Sequence, residues 1–422
     1  MTTNALLEDL GARGLIHDTT DRDRLAQRLN EGPIVVYAGF DPTADSLHVG
    51  NLVPLLLLRR FRDAGHRCIA LAGGATGMVG DPSGRSEERN LLDAATLEAN
   101  LAGITPQLVR VLGAGATFVD NSSWTRDVTL LEFLRDVGKH VTVNQLVAKE
   151  SIRARMEGTE GISFTEFTYT LLQAFDYWHL HTAHGCELQV GGSDQWGNIT
   201  AGIDLIRRRT GGRVHGLTVP LVTRADGQKF GKSVDGAVWL SAERTSPYRF
   251  YQYWMQVPDA DVERFLLQLT LLPVDEARRL ASDHAEAPHR REGQRALARA
   301  VTTLIHGPDA TAGAEAASAV LFGGDAAALD TAALDVLAAE VPSTTLPRAD
   351  VVGADLVDLL VLTGLSSSRG DARRSLDQRG ISVNNRKVDS GFTPSDGDLL
   401  GGRALLLRKG KSTYHHVAVE PA

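Results

Sequence analysis

The chain has 422 residues, too many for one core, so two or three domains are expected. Hydrophobic residues at 43% and charged residues at 23% exclude a disordered chain and fit an ordinary globular one. A formal net charge of -8 excludes a nucleic-acid binder working through a global positive field; residues 351–422 carry 10 Lys+Arg against 8 Asp+Glu, so RNA contact is expected on local basic patches.

The first segment reads as amphipathic helix, with Leu6, Leu7 and Leu10 and then Leu25 and Leu29 on apolar faces. It lacks a basic-then-apolar leader pattern, and the longest apolar stretch, near 52–58, falls far short of the ~20 residues a membrane helix needs. A cytoplasmic location is expected by default. Residues 33–40 form a short β-rich run, followed by a turn cluster at 41–46 and a helix through Leu55, Leu58 and Phe61. A second buried strand, 68–72, opens into a glycine-rich loop. A third, 188–190, leads through Gly191, Gly192, Ser193 and Asp194 into a helix at 199–209, and a fourth spans 217–222. Strands separated by helices imply an α/β, Rossmann-like parallel sheet, whose ligands bind beyond the carboxyl ends of the strands.

From 247 to about 321 the pattern is helical. Residues 323–350, rich in Ala, Thr, Asp and Pro, read as a partly helical linker, and 351–422 as a small α+β unit. The expected domains are therefore 1–240 (catalytic, with an insert), 241–322 (helical), 323–350 (linker) and 351–422 (RNA-binding). Cys68 and Cys186 have neither metal-ligand spacing nor a disulfide framework, and read as buried thiols in a reducing compartment.

Two short constellations carry chemistry. In Asp45-Ser46-Leu47-His48-Val49-Gly50-Asn51, at a strand-to-helix turn, a helix N-terminus offers free N–H groups suited to phosphate. His48 and Asn51 lie three apart and can face one side, and Gly50 lets a planar base approach the backbone. In Lys229-Phe230-Gly231-Lys232-Ser233, two lysines three apart in a glycine-rich loop can grip two phosphate groups. Alone, the first also reads as a helix cap and the second as a solvated basic loop.

Together they resemble the paired signatures of class I aminoacyl-tRNA synthetases, His-x-Gly-His and Lys-Met-Ser-Lys-Ser. Asn51 replaces the second His, and Phe230 and Gly231 replace Met and Ser. Four longer stretches are similar to the tyrosyl-tRNA synthetase family: 37–48, 73–84, 164–176 and 189–200. The C-terminal unit, over 356–388, resembles a small RNA-binding domain that bacterial tyrosyl enzymes carry.

The resemblance implies a tyrosine-activating enzyme with L-tyrosine, ATP and tRNA as its partners, acting as a homodimer. The insert at about 130–149, between the second and third strands, would be the interface. Tyr37 and Asp176 match the positions that bind the phenol. Tyr169, Gln173 and Asp81 would surround the ammonium; Tyr169 and Gln173 lie at i−7 and i−3 from Asp176, on one helix face. Asp194 would bond the ribose, with Gly39, Asp41, Gly50, Gly192 and Gln195 around the adenylate. Thr43, His48, Asn51, Lys229, Lys232 and Ser233 would serve the phosphates, with Arg85 and Arg89 nearby. Asp81, Asp194, Gln195, Arg85 and Arg89 also read as turn, cap or surface residues. No carboxylate cage for a metal is visible, so Mg²⁺ is expected to accompany ATP through its phosphates. Arg373, Arg374, Arg386, Lys409 and Lys411 are the expected tRNA-phosphate surface.

Overall fold

A computed structural model describes residues 2–81, 83, 92–149, 152–153, 156, 161–223, 225, 230–233 and 236–420, with the backbone alone described at Lys232 and Ser233. Lys229, Arg85 and Arg89 lie outside the described residues. The chain divides into two compact units, Met1–Thr245 with Gln256–Val301 and Ser246–Met255 with Thr302–Ala422.

The first unit is built on a sheet of β1 (Asp18–Thr19), β2 (Val35–Phe40), β3 (Arg67–Ala72), β4 (Thr117–Asp120), β5 (Cys186–Gly192) and β6 (His215–Val219). Their spatial order is β1-β6-β5-β2-β3-β4. All pairs are parallel except the edge pair β1–β6. The apolar runs of β2, β3 and β5 are buried on both faces, as parallel strands require. The direction of winding reverses between β2 and β5, which opens a crevice at their carboxyl ends. β6 stops at Val219 because Pro220 has no N–H to give the ladder.

Four strands were expected here and six are present. β4 and β1 are too short and too mixed to stand out by pattern. With β4 in place, the 130–149 insert follows the fourth strand in the chain rather than the second. The span 241–322 is largely helical but divides between the two units. Two further short strands, β7 (Lys232–Ser233) and β8 (Gly236–Ala237), make an antiparallel pair.

In the second unit β9 (Ser343–Leu346), β10 (Ile381–Val383), β11 (Arg386–Lys387), β12 (Ala404–Lys409) and β13 (Thr413–Val419) form a sheet in the order β11-β10-β12-β13-β9. Helices Leu356–Leu362 and Arg369–Asp377 supply its core with Leu356, Leu359, Leu360, Ala372 and Leu376. The expected linker is part of this unit. Its helix Thr331–Glu340 buries Leu334 and Leu337 against Leu406 and Tyr414, and its strand β9 pairs with β13. Its polar composition masked an apolar face at helical spacing. Asn384 and Asn385 both adopt positive φ, as the tight β10–β11 turn demands. Among the described residues no helix is long and apolar enough to cross a membrane.

Candidate active site

The crevice holds a cavity of about 380 Å³. Its lining includes Tyr37, Gly39, Asp41, Thr43, His48, Gly50, Asn51, Asp81, Tyr169, Gln173, Asp176, Gly192, Asp194 and Gln195. Every expected tyrosine residue and every described expected ATP residue outside the lysine loop is thus gathered around one cavity.

Each comes from a turn that follows a strand or from one helix face. Beyond β2 the chain turns through Asp41 and reaches His48, which is extended (φ -119°, ψ 169°). His48 Nδ1 accepts a hydrogen bond from Gly50 N–H at 3.0 Å, and Asn51 Oδ1 accepts one from His48 N–H at 3.1 Å. This reciprocal cap starts the helix Leu52–Asp63. A Cβ on Gly50 would lie 2.6 Å from His48 Cε1. The bare Gly50 is therefore required first by the His48 ring of the same turn, not only by a base.

Deep in the cavity, Asp176 is buried on the helix Phe164–His184. Asn121 Nδ2 and Trp124 Nε1 each donate to its carboxylate at 2.9 Å. Burial pushes Asp176 up to about 7, against the pull of those two donors. Tyr37 is 1% exposed, and its Oη has no hydrogen-bond partner among the described residues. Burial, and then the neighbouring Asp176, raises the Tyr37 phenol well above its ordinary value, so it stays a donor.

Higher in the cavity, Tyr169 Oη and Thr76 Oγ1 both donate to Asp41 at 3.0 Å. Asn121 Nδ2 also donates to Thr76 Oγ1 at 3.0 Å, so the Asp41 and Asp176 clusters share one amide. Gln195 Nε2 donates to Asp81 Oδ2 at 2.7 Å, and Asn198 Nδ2 approaches Gln173 Oε1 at 3.1 Å. Asp194 lies in the 3-10 turn before the helix Trp196–Thr210. Burial, then Asp81, raises its carboxyl. Four aspartates line this one small cavity, a setting suited to an ammonium and to hydroxyl donors.

The two signature segments also meet. Val49 N–H donates to Val238 O at 3.0 Å and Leu240 N–H to Leu47 O at 2.8 Å, which lays the chain after the lysine loop along the His48 turn. Gly231, at φ 82°, sits so that a Cβ there would be 3.2 Å from Val49 Cγ2 and 3.5 Å from Gly50 N. Phe230 packs edge-on against Phe265 at 5.3 Å.

This arrangement has counterparts. The family model for class I tRNA synthetases of the W and Y types matches residues 29–323, and that for the tyrosine–tRNA ligase SYY-like C-terminal domain matches 334–417. The chain is 54% identical over 422 residues to the tyrosine–tRNA ligase of Opitutus terrae, covering 98% of this chain and 99% of that one. It is 51% identical to the tyrosine–tRNA ligase of Mycobacterium tuberculosis, over 96% and 97%. The solved C-terminally truncated mitochondrial tyrosyl-tRNA synthetase of Aspergillus nidulans aligns with TM-score 0.67 and 34% identity, over 74% of this chain and 92% of that one. The chain belongs to the tyrosine–tRNA ligase family. As such it is a class I aminoacyl-tRNA synthetase with ATP as a substrate, and the tryptophanyl branch of the fold is set aside.

For this tyrosine–tRNA ligase family member, sequence reading missed Thr76, Asn121, Trp124 and Asn198. Asn121 follows β4 directly, so recognising that strand would have placed it at a carboxyl end. In the second unit Arg373, Arg374, Arg386 and Lys411 are exposed. Lys409 is committed instead to Asp371 at 2.7 Å and Ser366 at 3.3 Å, because β12 brings it beside the helix Arg369–Asp377.

Proposed function

We propose that the cavity binds tyrosine with its phenol between Tyr37 and Asp176 and its ammonium beside Asp81, Tyr169 and Gln173, and that ATP enters past the His48 turn. The observation that carries this is Tyr37 Oη, buried without a partner among the described residues and beside a buried carboxylate in the same cavity. A phenol placed there donates a hydrogen bond to Asp176 and accepts one from Tyr37. Asp194 bonds the ribose, and Asp41 and Gln195 wall the adenylate.

The tyrosine carboxylate, already ionised, attacks the α-phosphorus. The bond from that phosphorus to the bridging oxygen breaks, and pyrophosphate leaves with the electron pair. No protein nucleophile or base is required; positioning and charge stabilisation lower the barrier. His48, Thr43 and Asn51, together with Lys229, Lys232 and Ser233 of the lysine loop, would serve the developing pyrophosphate, and the close approach of Gly231 to Val49 and Gly50 supports that reading. Arg85 and Arg89 remain candidates for the same task. Among the described residues no cluster of three or more His, Cys, Asp or Glu could hold a metal. Mg²⁺ would be held by the ATP phosphates themselves. In the second half-reaction a hydroxyl at the 3′ end of the tRNA attacks the tyrosyl carbonyl and AMP departs.

The enzyme would act in the cytoplasm as a homodimer through the insert, where Leu130 is 73%, Leu131 78%, Leu134 50% and Val143 64% exposed. Such apolar exposure suits an interface. Arg373, Arg374, Arg386 and Lys411 would take tRNA phosphates.

Exchange of labelled pyrophosphate into ATP, run with each amino acid in turn, tests the reading. Tyrosine alone should drive it strongly. Exchange driven equally by tryptophan, or exchange unaffected by Lys232→Ala, would defeat the assignment of substrate or of loop respectively.

A further inference from the structure

Asn198 stands one layer behind the cavity lining, on the first turn of the helix Trp196–Thr210, and is 4% exposed. Its Nδ2 lies 3.1 Å from Gln173 Oε1, 3.4 Å from Gln195 Oε1, 3.4 Å from Ser83 Oγ and 3.5 Å from Asp81 Oδ1. Its Oδ1 accepts from Thr170 Oγ1 at 2.8 Å. The carboxylate of Asp81 can only accept, so the NH₂ end of the amide must face it and the oxygen must face Thr170. The two N–H of one amide are thereby shared among oxygens from three separate segments: the helix Phe164–His184, the turn before Trp196, and the stretch Asp81–Ser83 after β3.

That placement has two consequences. With its Oε1 occupied by Asn198, Gln195 turns its Nε2 onto Asp81 Oδ2 at 2.7 Å. In the free protein, Asn198 is also a positive dipole end among oxygens that would otherwise repel one another.

We propose that Asn198 is the positioning residue of the amino-group site: it fixes Asp81, Gln173 and Gln195 in the arrangement that receives the substrate ammonium. This rests on the reading of Asp81 and Gln173 as the ammonium site. Asn198 itself does not touch the substrate. It acts through the side chains it holds, and Thr170 acts by locking the amide the right way round.

The test compares tyrosine with 3-(4-hydroxyphenyl)propionate, which is tyrosine without its amino group, in the full chain. Asn198→Ala should raise KM for tyrosine in pyrophosphate exchange by about tenfold to a hundredfold, the range for losing a buried hydrogen bond to a charged cluster. The inhibition constant of the deamino analogue should not move. Thr170→Val, which removes only one hydroxyl, should shift the tyrosine KM in the same direction by a smaller factor, and it decides the matter if Asn198→Ala fails to fold. Equal weakening of tyrosine and its analogue would make Asn198 merely structural and overturn the proposal. So would an unchanged tyrosine KM in Asn198→Ala, or in Thr170→Val where only that variant folds. If the unaltered protein bound tyrosine and the analogue equally well, or if Asp81→Ala kept the normal tyrosine KM, the ammonium reading would fall, and the proposal with it.

Discussion

Tyr37→Phe removes a single oxygen whose surroundings are fully described. Tyr37 Oη is buried and has no hydrogen-bond partner among the described residues. A hydroxyl left so costs about 1–3 kcal/mol, and phenylalanine abolishes that cost while the ring keeps its contact with Tyr177 at 5.3 Å. The free variant should therefore be at least as stable as the parent. With tyrosine bound, the same oxygen donates to the substrate phenol, a neutral hydrogen bond worth about 0.5–1.5 kcal/mol. Its loss should lower kcat/KM for tyrosine by about twofold to twelvefold. Phenylalanine has no phenol and leaves Tyr37 unpartnered in the complex, so its kcat/KM should hold or rise. The preference for tyrosine narrows by at least the tyrosine loss. Burial holds the Tyr37 proton in place, so the effect should be flat with pH through neutrality. Pyrophosphate exchange with both amino acids and a thermal melt of the free protein supply the three numbers. An unchanged tyrosine-to-phenylalanine ratio, or a lowered melting temperature, would refute the placement of this oxygen at the phenol.

Burial raises Asp176 to about 7, so kcat/KM for tyrosine, which reports the free enzyme, should climb as pH rises through 7 and the carboxylate becomes a charged acceptor. Its stability effect has the opposite sign: the folded carboxyl holds its proton where the unfolded one has released it. The penalty is absent below the unfolded value of 3.8 and complete above about 7; a kcat/KM profile flat from about pH 6 to 8 would contradict the first half. Gly50→Ala drives a Cβ into the His48 ring and should slow adenylate formation about a hundredfold with tyrosine binding retained, measured by pre-steady-state kinetics; a normal rate would free His48 from its phosphate role. Replacing Arg373, Arg374 and Lys411 with alanine should weaken tRNA binding and flatten its salt dependence by roughly 0.7–0.9 per lost phosphate contact, while adenylate formation stays normal. An unchanged salt slope would clear that surface of RNA.

What was legible in the sequence were residues that line the cavity. Tyr37, Asp81, Tyr169, Asp176 and Asp194 sit in motifs long enough to mark them, and all reach the cavity. The glycine-rich turn after β3 was legible too, since a Cβ on Gly73 would collide with Asp41 and one on Gly74 with Asp120. What could not be read were the residues that hold those side chains. Asn121 is completely buried and uses both ends of its amide: Ala75 N–H donates to its Oδ1 at 2.7 Å while its Nδ2 serves Thr76 and Asp176. Nothing in Asp120-Asn121-Ser122-Ser123 distinguishes that role from an ordinary polar turn. Buried amides gain their meaning from partners far along the chain, and sequence spacing carries no trace of it.

The packing of 323–350 decides how the second unit can be probed. Reading 323–350 as a tether suggests cutting near Pro347 to separate RNA binding from catalysis. Such a cut would strip β13 from β9, and Leu406 and Tyr414 from Leu334 and Leu337. The remaining chain would expose an apolar helix face and an unpaired strand edge, so misfolding and lost RNA contact would arrive together. Arg373, Arg374 and Lys411 are exposed, whereas Lys409 is tied to Asp371 and belongs to the fold as much as to any surface. Charge removal at the exposed three leaves the sheet and both buried clusters intact. A loss of tRNA affinity in that variant therefore reports on the surface alone, which no truncation of this unit can do.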